Sequence, residues 1–152
     1  MNILFVCTDN YTRSVIAEFC MKSYLKETNN TSVNVASAGI RATSDISKYS
    51  NVHFGIMNEM KINTTGFKRT QFNESCFEQY DVVIGMSELH KEYVKHNFNR
   101  DILLFNEVLN GQTSPVNIGH PDSPNFLDDM KQLVIFFHKA MPIVLRNLSS
   151  QS

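Results

Sequence analysis

The chain lacks several features that would assign it to a specialised class of protein. Only 3 of its 152 residues are cysteine and none forms a C-x-x-C pair, which argues against a disulfide framework and a structural zinc site. Its 14 basic and 15 acidic residues nearly balance, and they form no basic cluster. We therefore expect no metal or other cofactor, and neither nucleic acid nor an acidic membrane surface as a partner.

Long apolar runs are absent as well. No stretch is long enough to cross a bilayer, and the first apolar run, residues 3–6, has only the length of a strand and no basic region before it. We expect no signal peptide and a cytoplasmic location, which the odd cysteine count also favours. With 42% apolar residues, the chain predicts one globular domain over residues 1–152, which we expect to be monomeric.

Strand and helix patterns alternate along the chain. Apolar runs predict strands at 2–6, 32–38, 81–86 and 102–105, with a further short strand possible at 66–72. Helical spacing predicts helices over 14–27, 48–61 and 87–97, a brief helix ending at Tyr80, and a last helix from about 126 that Pro142 should kink or end. Residues 106–125 are expected to form a polar loop. This alternation predicts a doubly wound α/β fold.

One short stretch links the first strand to the first helix and carries a nucleophile and a cation. Cys7 ends the strand and Arg13 stands six positions later, where the helix begins. The backbone N–H groups between them can turn inward around an anion, and the helix N-terminus adds further donors and positive dipole. The same groups favour a thiolate at Cys7. The spacing therefore predicts a nucleophilic thiolate in an oxyanion cradle.

The pattern Cys-x5-Arg-Ser resembles the low-molecular-weight protein tyrosine phosphatases. The resemblance continues through Ala17-Glu18, Ser37-Ala38-Gly39, the run 80–86 and Pro121-Asp122, and so covers most of the chain. Three positions depart from the family's loop, since glycine, a second cysteine and proline are replaced by Asp9, Thr12 and Val15. The resemblance implies a central four-stranded parallel sheet flanked by helices and a metal-independent phosphatase working through a phosphocysteine. It implies a tyrosine-phosphorylated protein or peptide as substrate and phosphate-like oxyanions as ligands.

The resemblance also assigns roles to residues of this chain. Cys7 would be the nucleophile, and Asp122 would protonate the leaving group. The guanidinium of Arg13 would form bidentate hydrogen bonds to two phosphoryl oxygens. Asp128, Asp129 and His120 are less favoured donors, because the first two suit the start of the last helix. The remaining substrate-binding predictions lie in the loop: Thr8, Asp9, Asn10, Tyr11, Thr12 and Ser14.

Individual loop residues have more specific expectations. Asn10 should tolerate an unusual backbone angle, and Ser14 should donate its hydroxyl to the thiolate, cap the helix, or do both. Thr8, Tyr11 and Thr12 should supply backbone donors. Tyr11 or Phe126 could pack against a phenyl ring.

Two other functions remain open on the sequence. A phosphocarrier or phosphate-binding module would accept a phosphoryl group at Cys7 without releasing it. Arsenate reductases share the loop but need further cysteines near the later strand, where this chain has Met86-Ser87. Cys20 and Cys76 are predicted to be core thiols. Ligands of open α/β sheets bind beyond the carboxyl ends of strands, where Cys7, the loop of residues 40–47, Met86-Ser87 and the Asp122 loop should meet.

Overall fold

A parallel sheet forms the centre of the fold. The computed structural model describes residues 1–43, 50–118 and 122–150, and within them four strands pair in the order β2-β1-β3-β4, all parallel. The strands are β1 (Asn2–Cys7), β2 (Asn34–Gly39), β3 (Val82–Gly85) and β4 (Leu103–Leu104). The predicted four-stranded parallel sheet is confirmed.

Helices connect and cover these strands. In chain order they are α1 (Arg13–Glu27), α2 (Val52–Glu59), α3 (Cys76–Gln79), α4 (Glu88–Phe98), α5 (Phe105–Asn110) and α6 (Phe126–Ser150). Helix α1 packs against β1, β2 and α6, and α6 also contacts α2 and α5. The side chains of Phe5, Phe105 and Phe137 are fully buried between the sheet and this helical layer, where each large ring removes substantial apolar area from water.

The strand order reverses at β1, and this reversal creates a crevice. β1 pairs with β2 on one side and β3 on the other, so that Cys7 lies opposite Gly39 and Val6 opposite Gly85. The chain after β1 and the chain after β3 leave the same edge of the sheet. That edge is where open α/β sheets bind ligands, and Cys7 stands at its centre.

Several predicted elements differ from those in the structure. Residues 105–110 form α5 rather than a strand end and a loop, because Phe105 and Val108 turn into the core. Residues 66–72 contribute only an isolated bridge between Gly39 and Gln71. Helix α6 continues through Pro142, which lies on the exposed face while Met141 is buried. Of the two effects predicted for Pro142, a kink or an end of the helix, the end is therefore wrong, because α6 runs from Phe126 to Ser150.

Across the described part of the chain, no helix is both long and apolar enough to span a membrane.

Candidate functional site

The loop between β1 and α1 turns its carbonyl groups away from its centre. Five of its carbonyl oxygens accept hydrogen bonds of 2.7–3.1 Å from neighbouring groups. The acceptors are Cys7, Thr8, Asp9, Tyr11 and Thr12, and the donors, in the same order, are Ile40, Arg41, Arg69, His53 and Ile16. Because the C=O and N–H of one peptide unit point in opposite directions, the following N–H groups face the centre of the loop. This is the geometry of an anion-binding nest.

The thiol at the start of the loop is nearly buried and hydrogen-bonded. Cys7 is 3% exposed, and its Sγ lies 3.0 Å from the Oγ of Ser14. The Nδ2 of Asn10 donates to the same Ser14 oxygen at 3.0 Å. Ser14 therefore accepts from Asn10 and keeps its own hydrogen for the sulfur, an arrangement that stabilises a thiolate.

A chain of hydrogen bonds extends from Ser14 to a carboxylate. The second Nδ2 hydrogen of Asn10 goes to the Oγ of Ser37 at 2.8 Å, and Ser37 donates to Oε1 of Glu18 at 2.6 Å. The amide nitrogen of Asn10 can only donate and a carboxylate can only accept, so Ser37 accepts from Asn10 and donates to Glu18. Ser14 was predicted as a possible helix cap, but the N-cap is Thr12 and Ser14 lies one residue inside α1.

Two residues allow the loop to fold this way. Asn10 is fully buried with a φ of 51°, the left-handed conformation that Asn tolerates better than most residues, and its Oδ1 accepts the Thr70 N–H at 2.7 Å. Gly39 lies directly behind the loop. A Cβ at Gly39 would stand 2.6 Å from the Asn10 nitrogen and 2.8 Å from the Thr8 oxygen, so only glycine fits.

The arginine at the other end of the loop is held from the side. Nη1 of Arg13 donates to the carbonyl oxygen of Val116 at 3.0 Å, and the Val116 N–H donates to the carbonyl of Met86 at 2.8 Å. This contact connects the Arg13 guanidinium to the end of β3. The remaining N–H groups of the guanidinium can bind an oxyanion.

A pocket of about 150 Å³ opens above the thiol. Its floor and rim include Cys7, Thr8, Asp9, Tyr11, Thr12 and Arg13, so six of the predicted loop residues meet there. Asn10 and Ser14 lie fully buried behind them. Among the residues that the structure describes, Ser50, Ile118, Phe126 and Met130 also line the pocket. The walls are thus largely apolar around a polar floor, which suits an anion carried on an apolar group.

Tyr11 is fixed by three neighbouring rings. Its ring makes edge contacts with His53, Phe54 and Phe67 at centroid separations of 5.4, 5.7 and 5.9 Å. Such contacts orient an aromatic ring beyond simple burial. Tyr11 and Phe126, the two predicted aromatic contacts, both line the pocket.

The aspartate that replaces the family's glycine lines the pocket without taking a left-handed angle. Asn10, not Asp9, has the positive φ in this loop. The carbonyl of Asp9 is clamped by Nε and Nη2 of Arg69 at 3.1 and 2.9 Å. The backbone therefore accommodates a side chain at position 9, and an acidic residue takes the place of glycine in the lining of the pocket.

The predicted acid lies at the edge of the described region. Asp122 is exposed and lies in the turn before α6, four residues before the pocket residue Phe126. His120 and Pro121 lie outside the described residues, as do residues 44–47 of the loop predicted over 40–47.

Two buried histidines contact the loop, and the sequence patterns did not identify either. His53 donates from Nε2 to the Tyr11 carbonyl at 2.8 Å, and Nε2 of His90 lies 3.1 Å from Oγ1 of Thr8. Burial lowers the pKa of each from 6.5 to about 4, and for His90 the charge of Arg13 acts in the same direction. The one available signal was the position of His90 three residues after the helix cap Ser87.

A wider cavity of about 730 Å³ lies at the opposite edge of the sheet. It is lined by the amino ends of the strands, including Met1, Val33, Val82 and Ile102, together with Leu148 of α6. No predicted site residue is among its described lining residues, so the smaller pocket at Cys7 is the candidate active site.

Comparison with known proteins agrees with this geometry. Residues 2–122 match the family model described as low molecular weight phosphotyrosine protein phosphatase. A protein-arginine-phosphatase of Bacillus subtilis (strain 168) is 33% identical over 100 residues, which are 66% of this chain and 65% of that protein. The match thus spans a little less than two thirds of that relative's length.

Solved structures are similar over nearly the whole chain. A solution structure of a low molecular weight protein tyrosine phosphatase from Bacillus subtilis has a TM-score of 0.83 at 27% identity, covering 99% of this chain and 98% of that one. A Cys-to-Ser mutant of YwlE arginine phosphatase with a phosphorylated active-site serine has a TM-score of 0.80 at 28% identity, covering 99% and 95%.

Proposed function

Because the chain belongs to the low molecular weight phosphotyrosine protein phosphatase family, we propose that it is a metal-independent protein phosphatase that forms a phosphocysteine on Cys7. One observation carries the proposal: the Cys7 sulfur lies 3.0 Å from the Ser14 hydroxyl, at the start of a loop in which five carbonyl oxygens accept hydrogen bonds from neighbouring groups and so point away from the centre. The phosphorylated active-site serine of the Cys-to-Ser YwlE mutant supports the same position for the acceptor.

The proposed reaction has two displacement steps. The Cys7 thiolate attacks phosphorus, a P–S bond forms, the bond from phosphorus to the leaving group breaks, and Asp122 gives that group its proton. Water then attacks phosphorus and loses its proton to Asp122 while the P–S bond breaks. Phosphate departs and the thiolate returns to its bond with Ser14. Loop N–H groups and Arg13 stabilise the phosphoryl charge throughout.

Phosphotyrosine is the proposed substrate. The pocket combines an anion cradle with the apolar walls of Tyr11, Ile118, Phe126 and Met130, which can enclose a phenyl ring. We propose a reducing compartment such as the cytoplasm, because all three cysteines are free and the reaction requires the Cys7 thiolate.

Phosphoarginine is the second candidate substrate. Two findings favour it: a relative at 33% identity is a protein-arginine-phosphatase, and the acidic residue Asp9 is among the residues that line the pocket. A carboxylate is a favourable partner for a guanidinium. The charge of Asp9 would attract the guanidinium of this substrate and repel the phosphoryl oxygens of either substrate, so its net effect differs between the two.

A single set of assays tests the reaction and separates the substrates. Peptides of one sequence carrying phosphotyrosine, phosphoarginine or phosphoserine are incubated with the protein and a chelator, and released phosphate is measured. The proposal expects chelator-resistant turnover of the first peptide above the other two. Faster release from phosphoarginine would establish the second candidate, and no release from any peptide would favour a phosphate-binding module.

A further inference from the structure

His90 of α4 turns back onto the end of β3 and is held there through one ring nitrogen. Its Nδ1 accepts the backbone N–H groups of Met86 and Ser87, each at 3.2 Å. A nitrogen that accepts hydrogen bonds carries no proton, so the neutral ring must carry its hydrogen on Nε2. The side chain is fully buried, and Gly85 leaves it room, since a Cβ there would lie 3.1 Å from that of His90.

With the hydrogen on Nε2 of His90, the hydroxyl oxygen of Thr8 becomes a hydrogen-bond acceptor. Nε2–H of His90 points at Oγ1 of Thr8 at 3.1 Å, and Thr8 must be the acceptor because the ring nitrogen has no lone pair to offer. The threonine then keeps its own hydrogen for another partner. Over residues 1–43, 50–118 and 122–150, no protein acceptor takes that hydrogen, whereas Thr8 lines the pocket next to Cys7.

From this pairing we propose that the Thr8 side chain is an additional phosphoryl-oxygen donor and that His90 is the positioning residue that directs its hydroxyl into the pocket. The inference rests on the proposed function, because the acceptor is the substrate's phosphoryl group. A neutral hydroxyl adds a hydrogen bond to the oxyanion without adding a charge that would compete with Arg13. The bond is already directed in the free protein, so little entropy is lost when the anion binds.

The charges around His90 keep this arrangement constant with pH. Burial and the charge of Arg13 both disfavour a second proton on the ring and together outweigh Asp9, which favours one, so the pKa of His90 is lowered to about 4. The ring therefore remains neutral across the pH range in which a phosphatase of this kind would be assayed, and the direction of the Thr8 hydroxyl does not reverse.

Four variants test the pairing through binding of inorganic phosphate, measured by calorimetry at pH 7. Thr8→Val removes the hydroxyl at nearly constant shape and should weaken binding roughly 10-fold, whereas Thr8→Ser restores the donor and most of the affinity. His90→Asn retains an acceptor for the Met86 and Ser87 N–H groups but cannot reach Thr8, and should weaken binding less than Thr8→Val does. In the double variant His90→Asn should add no further loss.

The outcomes separate this inference from the proposed function. If the parent protein neither binds phosphate nor hydrolyses a phosphopeptide, the proposed function is wrong. If the parent binds phosphate and Thr8→Val binds it equally well, only the pairing is overturned. The pairing is also overturned if His90→Asn weakens phosphate binding as much in the Thr8→Val protein as it does in the parent. Nitrogen-15 NMR of the imidazole gives a direct reading, in which the Nε2–H tautomer is expected and an Nδ1–H tautomer would contradict the inference.

Discussion

The Ser14 hydroxyl lies 3.0 Å from the Cys7 sulfur and accepts a hydrogen bond from Asn10 at the same time. Its hydrogen is therefore directed at the sulfur. Such a hydrogen bond is strongest when sulfur carries negative charge. In the proposed reaction this is the case before attack on phosphorus and again when the phosphocysteine breaks down.

Replacing Ser14 by alanine should slow the breakdown of the phosphocysteine. Loss of a hydrogen bond to a charged group costs about 1.5–3 kcal/mol, which corresponds to a fall in kcat of roughly 10- to 100-fold. Acid quenching during turnover should trap more phosphoprotein than in the parent. The matched control is Ser23→Ala in the same helix, and an unchanged kcat for Ser14→Ala would contradict this role.

Cys7→Ser should abolish hydrolysis and leave phosphate binding largely intact. The alcohol is a weak nucleophile at neutral pH, while the cradle is built from backbone N–H groups and Arg13, which the substitution does not remove. Turnover of a phosphotyrosine peptide and calorimetric binding of phosphate measure the two properties separately. Retained hydrolysis would rule out a phosphocysteine on this residue.

Asp122→Asn should affect substrates according to their leaving groups. A tyrosine leaving group needs a proton as its bond to phosphorus breaks, so its hydrolysis should slow roughly 10²-fold, while an activated aryl phosphate should slow much less. Asp128→Asn, at the start of α6, is the matched control. Equal losses with both substrates would assign Asp122 a structural role.

Removing the charge at position 9 should strengthen anion binding. A carboxylate ~6 Å from an oxyanion repels it by about 3 kcal/mol at an effective dielectric of ~20, and by less when water and salt screen it. We expect Asp9→Asn and Asp9→Gly to bind phosphate more tightly and to raise kcat/KM for phosphotyrosine. Calorimetry at low and high salt measures the effect, which should shrink as salt is added.

The same substitution tests the choice of substrate. If Asp9 attracts a guanidinium, Asp9→Asn should lower kcat/KM for a phosphoarginine peptide while raising it for phosphotyrosine. Variants that bind phosphate no more tightly than the parent would show that the carboxylate does not act on the cradle.

The sequence could predict the parts of the site that are local in the chain. Strand β1, the loop and the start of α1 lie within residues 2–14, so a single apolar run and one motif determine them, and the parallel sheet brings Cys7 to its carboxyl edge. The supporting contacts are not local. Thr8 meets His90 at a separation of 82 residues, and Arg13 meets Val116 at 103. Such pairings depend on how the helices pack, and no spacing along the chain encodes them.

Helix α5 is a secondary-structure element that also depends on distant packing and was not predicted from the sequence. The apolar run 102–105 is typical of a strand. The segment that follows it, residues 106–110, shows no clear helical pattern in the sequence. In the structure β4 stops at Leu104, and Phe105 and Val108 enter the core against α6 instead. The gain from burying these side chains outweighs the weak helix propensity of the segment, and it is visible only once α6 is in place.

The two buried histidines predict how stability depends on pH. In the fold the pKa of His53 and His90 is lowered to about 4, whereas each titrates near 6.5 in the unfolded chain. Between these values the unfolded state binds protons that the native state does not. Stability from this source is fully present above pH 6.5 and is lost as the pH falls from 6.5 towards 4.

His53→Gln should remove one of these two contributions. The glutamine amide can still donate to the Tyr11 carbonyl, but it does not titrate. The free energy of unfolding is expected to fall between pH 7 and pH 5.5 in both proteins, and the fall should be about 1 kcal/mol smaller in the variant than in the parent. Urea unfolding at the two pH values measures this difference, and comparison within each protein cancels any cost of the substitution itself. The exposed His96→Gln is the control and should keep the parent's pH dependence. A variant whose unfolding free energy falls with pH as steeply as that of the parent would show that His53 is protonated in the fold as readily as in the unfolded chain.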